Sequence, residues 1–384
     1  MKIAHVVPTY FPAIRYGGPI VAVHNLCRHL VSRGHGVDVY TTDVDGNGVL
    51  AAEHTGAGHL DGVGVRYFPV RQPRRLYYSP ALADAFGRSV LEYDVVHLHS
   101  VFLYPTLKAA RCATRNGVPY VVAPRGMLVK DLIGRKNPVL KKAWVTLFER
   151  RTVEQAAAVH VTSALEEQEL RRFGFSLPPV YEIPNGVDFP VPAPSVEREP
   201  DLVLYLGRLD WKKGIERLIS AIAALSNVRL VVAGNDECGY TSRLEAQCRR
   251  LGIEARVEFV GPVSGDDKWR LYRRASVFVL PSLSENFANT VLEAMSMECP
   301  VAVTPEVGLA GIVERAGAGV VIPGDPAMMA KTLAGLLENT RDARRMGRNG
   351  RVLVETRFSW DDVAATTEDL YRRIIDRHEV RSVA

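Results

Sequence analysis

In this chain of 384 residues, the run Pro281-Ser282-Leu283-Ser284-Glu285-Asn286-Phe287-Ala288-Asn289-Thr290-Val291-Leu292-Glu293-Ala294-Met295 carries two acids, Glu285 and Glu293, with seven residues between them. Glu285 falls in a loop after an apolar, strand-like stretch, and Glu293 lies about two turns later in a helix that starts near Asn289. Both carboxylates can then accept hydrogen bonds from sugar or ribose hydroxyls, while the amides of Asn289 and Thr290 meet a phosphate. Glu293 is flanked by Leu292, Ala294 and Met295, and an acid embedded in apolar sequence needs a partner. A second loop, Gly207-Arg208-Leu209-Asp210-Trp211-Lys212-Lys213-Gly214, sets a guanidinium and an ammonium where a diphosphate could be clamped from two sides. Two solvated cations fit the same octamer, and the order of a Walker A loop is absent. A third, Tyr16-Gly17-Gly18-Pro19, opens a helix whose N-terminal amides could cradle a phosphate; a plain tight turn fits it too.

His97 and His99 end the run Val95-Val96-His97-Leu98-His99 and share one face of a strand. No nearby Asp, Glu or Cys completes a zinc set. His99, last on the strand, is placed to touch a ligand, and His97 reads as a core residue with satisfied nitrogens. Asp43-Val44-Asp45-Gly46-Asn47-Gly48 begins like a calcium loop, but its twelfth position is His54 with Glu53 one place early, so it is a Gly-rich surface loop.

These loops need strands and helices to hold them. Strands are expected at Lys2–Val7, Asp38–Thr42, Val63–Phe68, Val95–His99, Tyr120–Ala123, Ala158–Thr162 and Val180–Ile183, with helices at Ile20–Arg33, Pro80–Glu92, Tyr104–Asn116 and Ala164–Phe173. After the Pro-rich run Phe189–Pro200 the alternation restarts, with strands at Leu202–Leu206, Arg229–Ala233, Arg256–Val260, Ser276–Leu280, Pro300–Val303 and Gly319–Ile322. Helices there fit Gly214–Leu225, Thr241–Leu251, Asp267–Arg274, Thr290–Met297, Pro326–Asn339 and Arg341–Phe358, and one from Trp360 to about Arg377 follows. Near-continuous apolar strands alternating with helices mean parallel sheets covered on both faces. Two Rossmann-like domains result, with ligands beyond the carboxyl ends of the strands.

Composition narrows the class. An apolar share of 47% and a charged share of 24% exclude a disordered chain and supply two cores. The longest stretch without Asp, Glu, Lys or Arg is Val95–Leu107, short of the ~20 residues that a membrane span needs. The N-terminus holds no secretory apolar region. The five cysteines are scattered without a C-x-x-C pair, which reads as reduced thiols in the cytoplasm. The net charge of +5 belongs to the first half. Its source is Arg125–Arg151, where Arg125, Lys130, Arg135, Lys136, Lys141, Lys142, Arg150 and Arg151 face only Asp131 and Glu149. Leu140, Trp144, Leu147 and Phe148 would form one apolar helix face in that segment, suiting an anionic membrane surface or a lipid-phosphate acceptor. Packing of that face on its own domain is the other reading.

GRLDWKKG at 207–214, ENFANTVLE at 285–293, IPNGVD at 183–188, HLH at 97–99 and the Gly17-Gly18 turn together resemble glycosyltransferase family 4, the retaining nucleotide-sugar transferases of the GT-B fold. The resemblance runs from residue 1 to about 375. It implies an α/β chain of two Rossmann-like domains with parallel sheets facing an interdomain cleft. Residues 1–190 would form the acceptor-side domain, 191–200 a linker, 201–359 the nucleotide-sugar-binding domain, and 360–384 a helix packing back on the first domain. It further implies that Arg208 and Lys213 hold the donor diphosphate, that Glu285 contacts hydroxyls of the transferred sugar, and that Glu293 contacts the ribose. The Gly18 amide, beside Gly17, would meet the phosphates, with Phe287, Ala288, Asn289 and Thr290 in the donor loop. His99 would bond the sugar hydroxymethyl, and Val260-Gly261 would line the base pocket.

Two positions depart from the family pattern: Asn286 and Ala288 stand where many members have Gly, and the Cβ of Ala288 could shift donor preference. PRGML at 124–128 is similar to bacterial members that build surface polysaccharides, which makes Arg125 a candidate on the acceptor side. The expected activity is transfer of a hexose from a UDP- or GDP-type donor to a glycan, such as a lipid-linked saccharide. It needs no cofactor, metal or nucleic acid, and it takes place in the cytoplasm or peripherally on the inner face of the plasma membrane. Two other classes compete with this one: a non-hydrolysing nucleotide-sugar epimerase, which lacks this glutamate spacing, and a basic membrane-surface or nucleic-acid-binding protein, which leaves both glutamates without a role.

Overall fold

Runs of Val, Ile and Leu become fully buried strands in two separate sheets of a computed structural model that describes residues 1–13, 17–46, 48–51, 56–133, 138–189, 198–236 and 239–383. The chain forms two compact units, Met1–Asn185 with Trp360–Ala384, and Gly186–Ser359. In the first, β1 (Lys2–Val6), β2 (Gly36–Thr42), β3 (Ala57–Leu60), β4 (Val63–Phe68), β5 (Val95–His99), β6 (Tyr120–Ala123), β7 (Ala158–Val161) and β8 (Val180–Glu182) lie in the order β8-β7-β6-β5-β1-β2-β4-β3. Only the edge pair β3/β4 is antiparallel. In the second, β9 (Leu202–Leu206), β10 (Arg229–Ala233), β11 (Val257–Gly261), β12 (Val277–Leu280), β13 (Val301–Val303) and β14 (Gly319–Val321) form a wholly parallel sheet in the order β11-β10-β9-β12-β13-β14. Both sheets reverse direction of growth beside their first strand, and in open α/β sheets the carboxyl ends of the strands at such a switch point are where ligands bind.

Helices supply the covering layers. α1 (Gly18–Ser32) buries Ala22, Val23, Leu26 and Leu30 in one cluster with Ile3, Val39 and Val95 of the sheet. The C-terminal helix α2 (Trp360–Val383) adds Trp360, Val363, Leu370, Tyr371 and Ile374 to that same cluster. Arg33, which follows α1 as its C-cap, donates to Glu368 of α2 at 2.7 Å. In the second unit a single large core gathers the apolar residues of all six strands.

Three segments differ from the sequence reading. The helix expected over Pro80–Glu92 ends at Ser89 and tightens into a 3₁₀ turn, Val90–Glu92. The Asp43–Gly48 loop is in part a ribbon, Val44–Asp45 against Gly48–Val49; Asn47, Glu53 and His54 lie outside the described residues. The basic segment breaks into helices Lys130–Ile133, Pro138–Trp144 and Arg150–Glu154 around a wide turn, Val145–Glu149, with i→i+5 bonding. The extra residue of that turn rotates the inward face. Val145 and Glu149 are buried, whereas Leu147, expected on the apolar helix face, is 65% exposed. Arg135, Lys136 and linker residues 190–197 lie outside the described residues. Among the described residues no helix is long and apolar enough to cross a membrane.

Candidate active site

The Gly207–Gly214 loop leaves β9 and is fixed by its own side chains and by a neighbouring loop. Asp210 caps the turn Trp211–Lys213 by accepting from the Lys212 amide at 2.9 Å. The Leu283 amide then donates to the Lys212 carbonyl at 2.7 Å. At Gly214, φ is +64° and a Cβ would lie 2.1 Å from the Pro281 carbonyl oxygen, so only glycine allows the loops after β9 and β12 to meet. Their meeting places the Lys213 ammonium on the Glu285 carboxylate, in a pair only 16% and 18% exposed. Glu285 is held on its other side by backbone: its amide donates to Glu306 at 3.0 Å and its carbonyl accepts from Gly308 at 2.9 Å. Arg208 is exposed, and its side chain makes no ion pair among the described residues.

Helix α3 (Asn289–Ser296) begins at Ala288, whose φ of +79° is left-handed. Alanine pays a steric cost there that glycine would not, because of its Cβ. Ala288 also brings no capping side chain to the first turn, which opens with Asn289 and Thr290. Phe287 is buried beneath the loop, its ring 6.3 Å from Phe358. Glu293 meets the partners that its apolar neighbours demand. Lys268 donates to one oxygen and the Tyr272 hydroxyl to the other, each at 2.9 Å, both from the helix Gly265–Arg274. Burial, and then the Glu293 charge, push the Tyr272 hydroxyl well above its ordinary pKa. The sequence reading missed both residues; Tyr272 is signalled only by its place on an amphipathic helix. Val260 and Gly261 close β11, where Gly261 (φ +73°) accepts from the Gly234 amide at 2.8 Å. A Cβ on Gly234 would sit 1.8 Å from the Gly207 carbonyl oxygen. The ends of β9, β10 and β11 therefore run side by side on glycine contacts, and β12 brings Glu285 to the same edge.

In the first unit, Gly17 adopts φ +76° and caps α1, Gly18 is its first residue, and Pro19 occupies its first turn. No acid stands in that turn. His99 departs from the sequence reading: it is 1% exposed, as enclosed as His97. Register pairs His5 with His97 across β1 and β5, and His160 of β7 adds a fourth ring. Partners that only donate or only accept assign the tautomers. The Ile183 carbonyl takes the Nε2–H of His160 at 2.8 Å, so His160 Nδ1 accepts from His97 Nε2 at 3.3 Å and His97 Nδ1 accepts from the Tyr371 hydroxyl at 2.7 Å. Arg125 donates to His99 Nδ1 from Nε at 3.3 Å, so His99 Nε2 donates to His5 Nδ1 at 2.9 Å. The Nε2–H of His5 is left as a buried donor without a partner among the described residues. All four rings are held neutral: burial first, with the Arg125 charge adding to it, lowers His5 and His160 to about 3 and His97 and His99 well below their ordinary value.

Ligating atoms of His5, His97 and His99 lie within 4.8 Å of one another. Yet their assigned lone pairs are committed to His99, Tyr371 and Arg125, and a divalent ion would face the Arg125 charge. The cluster does not fit a metal.

Sequence and structure comparisons agree on what carries such loops. The family Glycosyl transferase 4-like domain matches residues 17–186, and Glycosyl transferases group 1 matches residues 192–353. An uncharacterised glycosyltransferase of Methanocaldococcus jannaschii is 29% identical, covering 97% of this chain and 98% of that protein. A D-inositol 3-phosphate glycosyltransferase of Xylanimonas cellulosilytica is also 29% identical, covering 95% and 94%. Among solved structures, sucrose-phosphate synthase from Thermosynechococcus elongatus superposes with a TM-score of 0.82 at 22% identity, over 98% of this chain and 99% of that one. Anabaena HepE in complex with UDP-glucose gives 0.74 at 20% identity, over 97% and 100%. With both family matches placed in order along two parallel-sheet units, the chain belongs to the GT-B glycosyltransferases of family 4 type.

Proposed function

We propose that this glycosyltransferase moves a hexose from a nucleoside-diphosphate donor to an acceptor hydroxyl with retention of configuration, and that the second unit grips the donor. The observation that carries this reading is the Lys213–Glu285 pair at the strand ends, beside the exposed Arg208. An incoming diphosphate competes for the lysine and frees the carboxylate for sugar hydroxyls. Glu293, oriented by Lys268 and Tyr272, accepts from the ribose, while Val260 and Gly261 flank the base. HepE, solved with UDP-glucose, supports a nucleotide sugar as donor.

As the anomeric C–O bond to the diphosphate breaks, negative charge builds on the leaving oxygen. Lys213, Arg208 and the amides of Asn289 and Thr290 stabilise it in place. The acceptor oxygen bonds to the anomeric carbon from the same face and gives its proton to the leaving phosphate. The acceptor belongs to the first unit, on the side of Arg125, and we assign it to the lipid-linked saccharides of polysaccharide synthesis. Support comes from exposed Leu147 and Val139 beside Lys142 and Arg151, an apolar and basic surface suited to anionic lipid.

Turnover of UDP-, GDP- and ADP-hexoses in EDTA tests the mechanism. The wild-type chain should remain active, and Lys213→Ala should lose about 10²-fold in kcat with the fold intact. Loss of wild-type activity in EDTA would refute the metal-free step, and a normal kcat in Lys213→Ala would refute the role of the lysine.

A further inference from the structure

We propose that Arg125 anchors an anionic group, a phosphate or a carboxylate, carried by the acceptor. This deepens the reading that the first unit receives the acceptor, and it starts from an imbalance of charge. The Arg125 guanidinium has two partners, and both are neutral: Nη1 donates to Asn185 Oδ1 at 3.0 Å, and Nε and Nη2 share the His99 Nδ1 lone pair at 3.3 and 3.2 Å. It makes no ion pair among the described residues. The acid that acts on it through space, Glu166, is 4% exposed and already committed. Its oxygens accept from the Gly126 amide at 2.6 Å and from the Thr162 amide and hydroxyl at 2.7 and 3.0 Å.

Neutralisation from within the cluster is closed off. Arginine does not give up its proton in proteins, and the four rings behind it are held neutral, in part by Arg125 itself. A half-buried guanidinium with only neutral partners is a poor structural element, because removing a charge from water is costly unless an opposite charge meets it. It is a good receptor. With three N–H groups aimed at Asn185 and His99, each Nη keeps one N–H, the fork that receives an oxyanion through two parallel bonds.

Backbone geometry marks the same place. Arg125 has φ +54°, and Ser100 and Phe102 have φ +73° and +65°, conformations that side chains other than Gly rarely take. These residues follow β6 and β5, which are paired there through His99 and Ala123, and the Ser100 amide donates to the Ala123 carbonyl at 2.9 Å. Each loop is fastened by a buried carboxylate: Glu166 holds the Gly126 amide, and Glu149 holds the Phe102 amide at 2.7 Å. Strained residues persist only where their surroundings over-determine them, and they gather at ligand clamps. Two such loops thus flank one uncompensated cation at the carboxyl ends of adjacent strands.

Calorimetric titrations test this in the Arg208→Ala/Lys213→Ala chain, where the donor cations are gone and phosphate affinity reports on the first unit. Glucose 6-phosphate is compared with glucose, and decyl phosphate with decyl glucoside. At least one phosphate probe should bind about tenfold or more tighter than its neutral counterpart. Adding Arg125→Gln should erase that difference, and adding Arg125→Lys should retain part of it. Preference for glucose 6-phosphate would point to a free sugar phosphate, and preference for decyl phosphate to a lipid-borne one. No phosphate preference in the parent, or one that survives Arg125→Gln, overturns the proposal. If Arg125→Gln fails to fold, full preference in Arg125→Lys overturns it, since an ammonium lacks the fork. Titrating nucleotide sugars into the otherwise unchanged chain reads the donor site separately, so failure there is distinct from failure of the anion site.

Discussion

Glu293 illustrates how far residue types alone can lead. Its apolar neighbours demand a partner, and the structure supplies Lys268 and Tyr272. These come from another helix at a separation that no local spacing reveals, so the need was legible and the partners were not. Tyr272 is fully buried, and its hydroxyl fixes where the carboxylate points. Tyr272→Phe keeps the ring in its packing and removes one bond to a charged acceptor, typically ~1.5 kcal/mol or more, about tenfold. The expected result in steady-state kinetics is a donor KM raised about tenfold with kcat little changed; an unaltered KM would remove Tyr272 from donor binding. His99 shows the opposite limit. Its position at the end of a strand was readable, but its enclosure follows from His5, on a neighbouring strand, and Arg125, in the loop after another.

At the scale of elements, the parallel strands were the most readable feature, because burial on both faces leaves continuous apolar runs. Val63–Phe68, Val95–His99, Tyr120–Ala123, Leu202–Leu206 and Arg229–Ala233 keep their expected bounds. The edge strand Ala57–Leu60, half solvated and containing Gly, lacks such a run. The wide turn Val145–Glu149 was invisible because a 3.6-residue period assumes unbroken α-helix. The four histidines are a property of the strands that carry them, and they make the first sheet acid-sensitive. A ring whose pKa drops on folding binds its proton more readily in the unfolded chain. Stability is therefore complete above the ordinary value of 6.5 and is lost as pH falls from 6.5 towards about 3 for His5 and His160. The slope is up to ~1.4 kcal/mol per pH unit for each ring. Thermal denaturation between pH 7.5 and 5 should show Tm falling with pH, less steeply in His5→Asn. Parallel slopes for the two chains would rule out His5 as a contributor.

Over the whole molecule, the two units differ in how their charge is arranged. The first unit carries the positive excess and a core of neutral histidines behind one arginine. The second pairs two lysines with two acids, Lys213 with Glu285 and Lys268 with Glu293, and leaves Arg208 exposed. A diphosphate sugar offers both partners what they now give one another: anionic oxygens for lysine, hydroxyls for glutamate. The measurement that tests this most directly is thermal denaturation with saturating UDP-, GDP- or ADP-hexose, for the wild-type chain and for Arg208→Ala/Lys213→Ala. A donor at 100 times its Kd should stabilise the wild-type chain by about 2.7 kcal/mol and leave the double variant's Tm almost unmoved. Equal stabilisation of both chains would contradict the assignment of the donor diphosphate to Arg208 and Lys213.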